Sequence, residues 1–158
     1  MTYIKEGATP NLGDFAKVVR LADQIEALKT TCPLDFIYYR IADSVQMSER
    51  SYTIYSQDSR PIGMFGLTRT EGDVGIPWLV CSEEVLTFSM RKKLIPMGRR
   101  FLKKVLLTRY SRLVNCVDPE NKKAIRFIKY MGFRFTGETF KTLAGYDFLI
   151  FEMRREDV

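Results

Sequence analysis

The chain has no histidine among its 158 residues, so any proton chemistry it performs falls to other groups. That absence removes Ser-His-Asp and Cys-His nucleophile pairs and the His-bearing zinc motifs. Carboxylates, tyrosines, lysines, cysteines and ordered water remain. The carboxylates gather around two apolar runs. Glu71 and Asp73 precede GIPWLVCS, and Glu83 and Glu84 follow it. Each is either a proton acceptor or an ordinary solvated loop residue. Asp118 ends the run SRLVNCVD, where it can accept a proton, make a turn before Pro119 or cap the next helix. Asp73 and Asp118 are the catalytic candidates. Arg91, Lys92 and Lys93 stand in a row and can either ligate phosphate or form a solvated basic turn. Asn121 opens NKKAIRFIKYMGF with N-cap chemistry, and Trp78 either packs the core or lines a cleft. Cys32, Cys81 and Cys116 are odd in number and widely spaced, which reads as reduced thiols, with no metal site.

The elements that must position these groups follow from periodicity. An apolar content of 46% with 28% charged residues fits one globular domain over residues 1–158. No run reaches the about 18 apolar residues of a membrane span, and the N-terminus lacks the pattern of a secretory signal. TYIKEGA reads as a strand. Phe15, Val18, Val19, Ala22, Ile25 and Leu28 recur at helical spacing, predicting one helix from Leu12 to near Thr30, before Cys32-Pro33. Residues 34–50 fit helix or strand. SYTIYSQDSRPIGMFGLTRT reads as a hairpin, with Gly63 and Gly66 marking a bulge or a close backbone approach. GIPWLVCS is a buried strand. Pro96 to Tyr110 reads as a helix with a basic outer face, SRLVNCVD as a strand, and Asn121 to Met131 as a helix stopped by Gly132. FRFTGETFKT and YDFLIFEMR complete an antiparallel pair. The predicted fold class is α/β (α+β), a single mixed sheet, mostly antiparallel, flanked by helices.

This order, closing in LVNCVDPENKKAIRFIKYMGF, resembles the GNAT superfamily of acyl-CoA-dependent N-acyltransferases. Val117, Asn121, Ala124, Gly132 and Phe133 carry the resemblance. Pro77-Trp78 and the run Leu113 to Asp118 also resemble small GNAT-like proteins of short-tailed bacteriophages. The resemblance implies that the fourth and fifth strands splay and admit acetyl-CoA. Its pantetheine would pair with the fourth strand at Trp78, Leu79, Val80 and Ser82, and Asn121 would contact the same arm. The pyrophosphate would lie at the start of the following helix, with Arg91, Lys92 and Lys93 as side-chain ligands. An amine, on a host or phage protein or elsewhere, would attack the thioester.

Two positions depart from the superfamily pattern. Its Gln/Arg-x-x-Gly-x-Gly/Ala loop is missing: one register places Ser89, Lys92 and Leu94 at the key positions, another Lys93, Pro96 and Gly98. The tyrosine expected seven residues after Asn121 is Ile128, and Tyr130 points about 200° away from it on a helix. The sequence therefore supports two functions. One is an acetyl-CoA-dependent N-acetyltransferase in the cytoplasm, bacterial if the chain is phage-encoded. The other is a GNAT-fold protein without catalysis that binds proteins, including as a virion component. A net charge of +6 favours anionic partners. Nucleic acid is not expected, because the cations of Arg91 to Arg112 spread along a helical polar face with no stacking platform.

Overall fold

The structure, a computed structural model, describes residues 2–30 and 36–158; Cys32 and Pro33 lie outside the described residues. Its strands are β1 (Tyr3–Glu6), β2 (Ser48–Tyr55), β3 (Pro61–Thr68), β4 (Val74–Cys81), β5 (Arg112–Val117), β6 (Arg134–Lys141) and β7 (Asp147–Arg154). They form a seven-stranded sheet in the order β1-β2-β3-β4-β5-β7-β6. Every neighbouring pair is antiparallel except β4 with β5. The expected mixed, mostly antiparallel sheet is therefore the one observed.

The helices are α1 (Leu12–Val18), α2 (Leu21–Thr30), α3 (Phe36–Met47), α4 (Phe88–Thr108) and α5 (Lys122–Met131). Side chains from α1 and α3, with Phe15 and Ile41 fully buried, pack on Met64, Trp78 and Val80 on one face of the sheet. Leu102 and Leu106 of α4, joined by Ala124, Ile125 and Ile128 of α5, pack on Leu67, Leu113 and Phe151 on the other.

Two expectations need correction, and one stretch left open is decided. The helix predicted from Leu12 to Thr30 is two helices. Val19 adopts an extended backbone, with ψ 139°, and the N–H of Arg20 leaves the helical pattern to bond the carbonyl of Cys81 at 3.0 Å. The single apolar stripe accordingly divides: Phe15, Val19 and Ala27 are buried, whereas Val18, Ile25 and Leu28 are exposed. The helix predicted to begin at Pro96 begins at Phe88, and Pro96 lies inside it. Proline removes one intrahelical bond, to the carbonyl of Lys92, and Lys92 and Pro96 are both on the exposed side where water replaces that bond. Arg91, Lys92 and Lys93 thus belong to the helix rather than to a turn before it. Within the ambiguous stretch, residues 36–47 are helical and β2 starts at Ser48.

Gly66 marks a close approach rather than a bulge. It sits opposite Trp78, and a Cβ there would lie 2.7 Å from the carbonyl oxygen of Arg50 and 2.9 Å from the indole ring. The ring therefore lies over a bare backbone and donates from Nε1 to Ser48 Oγ at 2.7 Å. Gly132 ends α5 at φ 104°, where its N–H reaches the last turn of the helix.

Candidate functional site

β4 and β5 run parallel, but they pair only at Val74 with Arg112 and Gly75 with Leu113. Beyond that point the strands part, as expected. The Asn115 side chain spans the throat: its Nδ2 donates to the Pro77 carbonyl at 2.7 Å, and its Oδ1 accepts the Cys116 N–H at 2.8 Å. Past this stitch the gap opens into a cavity of about 500 Å³.

Helical spacing decides which groups wall the cavity. Asp23, Glu26, Ala27 and Thr30 form one stripe of α2, and Ile37, Arg40 and Ser44 form one stripe of α3. Leu94, Met97 and Phe101 of α4 with Ala124 and Ile128 of α5 close the opposite side. The chamber is therefore polar toward α2 and α3 and apolar toward α4 and α5.

The free edge of β4 shows what can pair in the gap. The Ser82 N–H bonds Ile62 O of β3 at 2.9 Å, so Val80 and Trp78 also turn their backbone groups to β3. Pro77, Leu79 and Cys81 turn theirs to the gap. Pro77 O is held by Asn115. Cys81 O accepts the Arg20 N–H, and the Cys81 N–H donates to Asp23 Oδ2 at 3.4 Å. Leu79 has no partner for either group among the described residues.

A buried polar network sits at the wide end of the gap. The Arg20 side chain, 3% exposed, donates to Glu83 Oε1 at 3.2 Å, Asp23 Oδ1 at 3.1 Å and Asn121 Oδ1 at 3.3 Å. Asn121 stands at the N-cap of α5, but its side chain makes no capping bond. Its Nδ2 instead donates to Asp23 Oδ1 at 3.1 Å and Glu26 Oε2 at 2.7 Å, tying α5 to α2. Burial raises the Glu26 carboxyl to about 7; the bond from Asn121 opposes that rise and the nearby Asp23 charge adds to it. Burial also raises Asp23, against the pull of Arg20. A carboxyl poised near neutrality inside a cavity can hold a proton or accept one.

The candidates read from the sequence are only partly assembled here. Trp78, Leu79, Val80 and Asn121 border the cavity, while Ser82, Arg91, Lys92, Lys93, Asp73 and Asp118 do not. Asp73 lies at the closed end of β4, where it accepts the Ser111 N–H at 3.1 Å, and bonds from Ser111 hold its carboxyl low. Asp118 makes the turn into α5, accepting the Glu120 N–H at 3.0 Å and pairing with Lys29 at 2.9 Å. Glu83 bridges Arg20 and Lys123, Glu84 faces Arg60, and Glu71 is exposed. The three cations diverge because successive helical residues turn by about 100°. Arg91 packs under the Tyr130 ring, Lys92 stands over Phe88, and Lys93 borders a separate polar cleft of about 410 Å³ near Arg60. The Ser82 Oγ and Arg91 Nε atoms are buried without partners among the described residues. Ile128 borders the cavity and Tyr130 faces outward.

Glu26, Asp23, Arg20 and Arg40 are the groups that sequence reasoning missed. The one signal was the i, i+3, i+4, i+7 stripe of Asp23, Glu26, Ala27 and Thr30, polar and small where a core stripe would be apolar.

No protein-family model matches the chain, and no curated protein does. The fold nevertheless recurs among solved structures. Spermidine N-acetyltransferase from Vibrio cholerae, in complex with CoA and spermine, is 12% identical; 99% of this chain and 96% of that chain are covered, with a TM-score of 0.69. Aminoglycoside acetyltransferase AAC(6')-Ib, in complex with coenzyme A and kanamycin, is 15% identical, with 99% and 96% covered and a TM-score of 0.68. An acetyltransferase of the GNAT family from Bacillus anthracis is 12% identical, with 98% and 95% covered and a TM-score of 0.67. Identities this low show the fold: the chain has the fold of the GNAT acetyltransferases. Among the described residues no helix is long and apolar enough to cross a membrane.

Proposed function

We propose that the chain is an acyl-CoA-dependent N-acyltransferase that takes acetyl-CoA as donor and an amine as acceptor. The observation that carries this reading is the buried carboxyl of Glu26 in the wall of an opened strand pair. The residues present suit such a donor. Leu79 offers an unpaired N–H and C=O along the gap, Trp78 and Val80 flank it, and the first N–H groups of α4, a 21-residue helix, have no intrahelical partners. Arg91, Lys92, Lys93 and Ser82 do not border the cavity; of them Arg91, in the first turns of α4 and with its Nε unpartnered among the described residues, is assigned to the donor's phosphates, which would lie beyond the cavity at that helix start.

Acetyl-CoA supplies the activated acyl group. Glu26, once ionised, takes a proton from the acceptor's ammonium and frees the nitrogen lone pair for attack. Arg20 neutralises Asp23, which lets Glu26 ionise close to neutral pH instead of facing a second free carboxylate. Asn121 fixes the Glu26 carboxyl in place, and the apolar wall of α4 and α5 keeps water from the gap. Thermal unfolding with acetyl-CoA tests the reading. At a hundredfold excess over its dissociation constant the donor adds about 2.7 kcal/mol and raises Tm by several degrees. A Tm unmoved by saturating acetyl-CoA overturns it.

A second reading is a GNAT-fold protein without catalysis that binds a protein partner, from a host or a phage particle. One observation favours it: Arg20, just before α2, and Asp23 within it occupy both backbone groups of Cys81, on the edge that a pantetheine arm would use. The same unmoved Tm, together with a stable complex in a pull-down, would support it.

A further inference from the structure

The chamber that holds Glu26 has a cation at its rim. Arg40, an exposed residue, borders the cavity from the stripe of α3 that also carries Ile37 and Ser44, and no carboxylate among the described residues pairs with it. Arg20, the other arginine bordering the cavity, is saturated by Glu83, Asp23 and Asn121. Cys116 on β5 borders the same space, and its thiol is pushed up chiefly by burial, with the Glu26 carboxyl adding to the rise and the Arg40 guanidinium opposing it. The acceptor side of the cavity thus presents one acidic group from α2 and, at the rim, one guanidinium from α3 that is unpaired among the described residues, with Cys116 bordering the same space.

We propose that the acceptor is a small amino acid-like molecule whose amine meets Glu26 and whose carboxylate is held by Arg40. The inference rests on the acyltransferase reading and narrows it. Guanidinium is the side chain suited to bidentate, planar recognition of a carboxylate, and a charge-assisted bond of this kind discriminates strongly against a neutral isostere. The size of the cavity agrees: about 500 Å³ shared with the end of a donor arm leaves room for a compact acceptor. In the reaction, the acceptor nitrogen gives one proton to Glu26, which passes it to water. The nitrogen then bonds the acyl carbon while the carbon–sulfur bond breaks, and its second proton ends on the departing sulfur. The products are an N-acetyl amino acid and free CoA thiol.

The test is thiol release from acetyl-CoA against a panel of the common L-amino acids, each beside its C-terminal amide and its decarboxylated amine. Thermal unfolding with each amino acid alone runs in parallel. In the wild type the preferred acid exceeds its amide in kcat/KM by roughly 10- to 100-fold, the worth of one charge-assisted bond. In Arg40→Gln that ratio falls to near one, and Arg40→Lys restores part of it. Acids, amides and amines used alike, or a ratio unchanged in Arg40→Gln, overturn the inference while leaving the acyltransferase reading in place. An amino acid that raises Tm in the wild type but not in Arg40→Gln, beside an inert acetyl-CoA, keeps the acceptor site and removes the donor. No response to any amino acid in either assay overturns the inference.

Discussion

Replacing Glu26 by glutamine should reverse part of the pH dependence of stability. In the folded chain the carboxyl ionises at about 7 rather than at its ordinary 4.5, chiefly because it is buried. Between those values the unfolded chain has released this proton and the folded chain has kept it. The folded state binds more protons there, so stability falls as pH rises. The contribution is fully present below pH 4.5 and fully lost above about 7. At about 1.36 kcal/mol per pH unit, the loss is about 3 kcal/mol. Glutamine keeps a hydrogen-bonding group beside Asn121, Asp23, the Asp118 backbone and Cys116, but it does not ionise. Relative to the wild type, the variant should therefore gain about 3 kcal/mol between pH 4 and pH 8, or roughly 6 to 12 °C in Tm for a chain of this length. Thermal melts of both proteins across that range read the difference directly, and titrating groups that do not interact with Glu26 cancel in it. A difference that stays flat from pH 4 to pH 8 would refute the reasoning, whatever its absolute size.

Other consequences follow from the same geometry. If Glu26 takes the acceptor's proton, kcat/KM rises about tenfold per pH unit below about 7 and levels above it, and this limb disappears in Glu26→Gln; a limb retained there contradicts the assignment. Arg20→Met leaves buried Asp23 and Asn121 without their partner and should cost about 3 to 5 kcal/mol in urea unfolding; a cost below about 1 would mean that the network is not held by Arg20. Gly66→Ala drives a methyl group against the Arg50 carbonyl and the Trp78 ring, for an expected loss of about 1 to 3 kcal/mol and a change in Trp78 fluorescence; unchanged values would show that the hairpin gives way freely. Gly132→Ala at φ 104° should cost about 1 to 2 kcal/mol by the same urea assay, with no change in acetyl-CoA affinity.

The fold was legible where local chemistry and tertiary packing agree. Gly132 ends α5 because a bare backbone suits the left-handed end of a helix wherever it packs; Asn121 marks the start as its residue type suggests, although its side chain is turned to Asp23 and Glu26 instead of the helix end. The parting of β4 and β5 was expected from the resemblance alone, since nothing local in GIPWLVCS or SRLVNCVD sets the distance between them. Pro96 misled because proline reads as a first-turn residue, while α4 runs through it on a face that tolerates a lost bond. The break at Val19 carries no glycine or proline; it arises because Arg20 reaches Cys81 on a distant strand, which spacing along the chain does not record. Glu26 and Arg40 were invisible for the same reason. Glu26 sits on a helix whose charges would ordinarily be solvated, and only the packing of α2 over the gap turns its stripe inward; Arg40 lies in a stretch that fits helix or strand, and only its helical form sets it, still exposed, at the cavity's rim.

The central claim is that the opening between β4 and β5 holds an acyl-CoA. Isothermal titration of the full chain with acetyl-CoA tests it most directly. The account predicts saturable binding of one acetyl-CoA per chain, weakened when Leu79→Pro removes the unpaired N–H at the free edge of β4. No heat of binding at millimolar acetyl-CoA would contradict it.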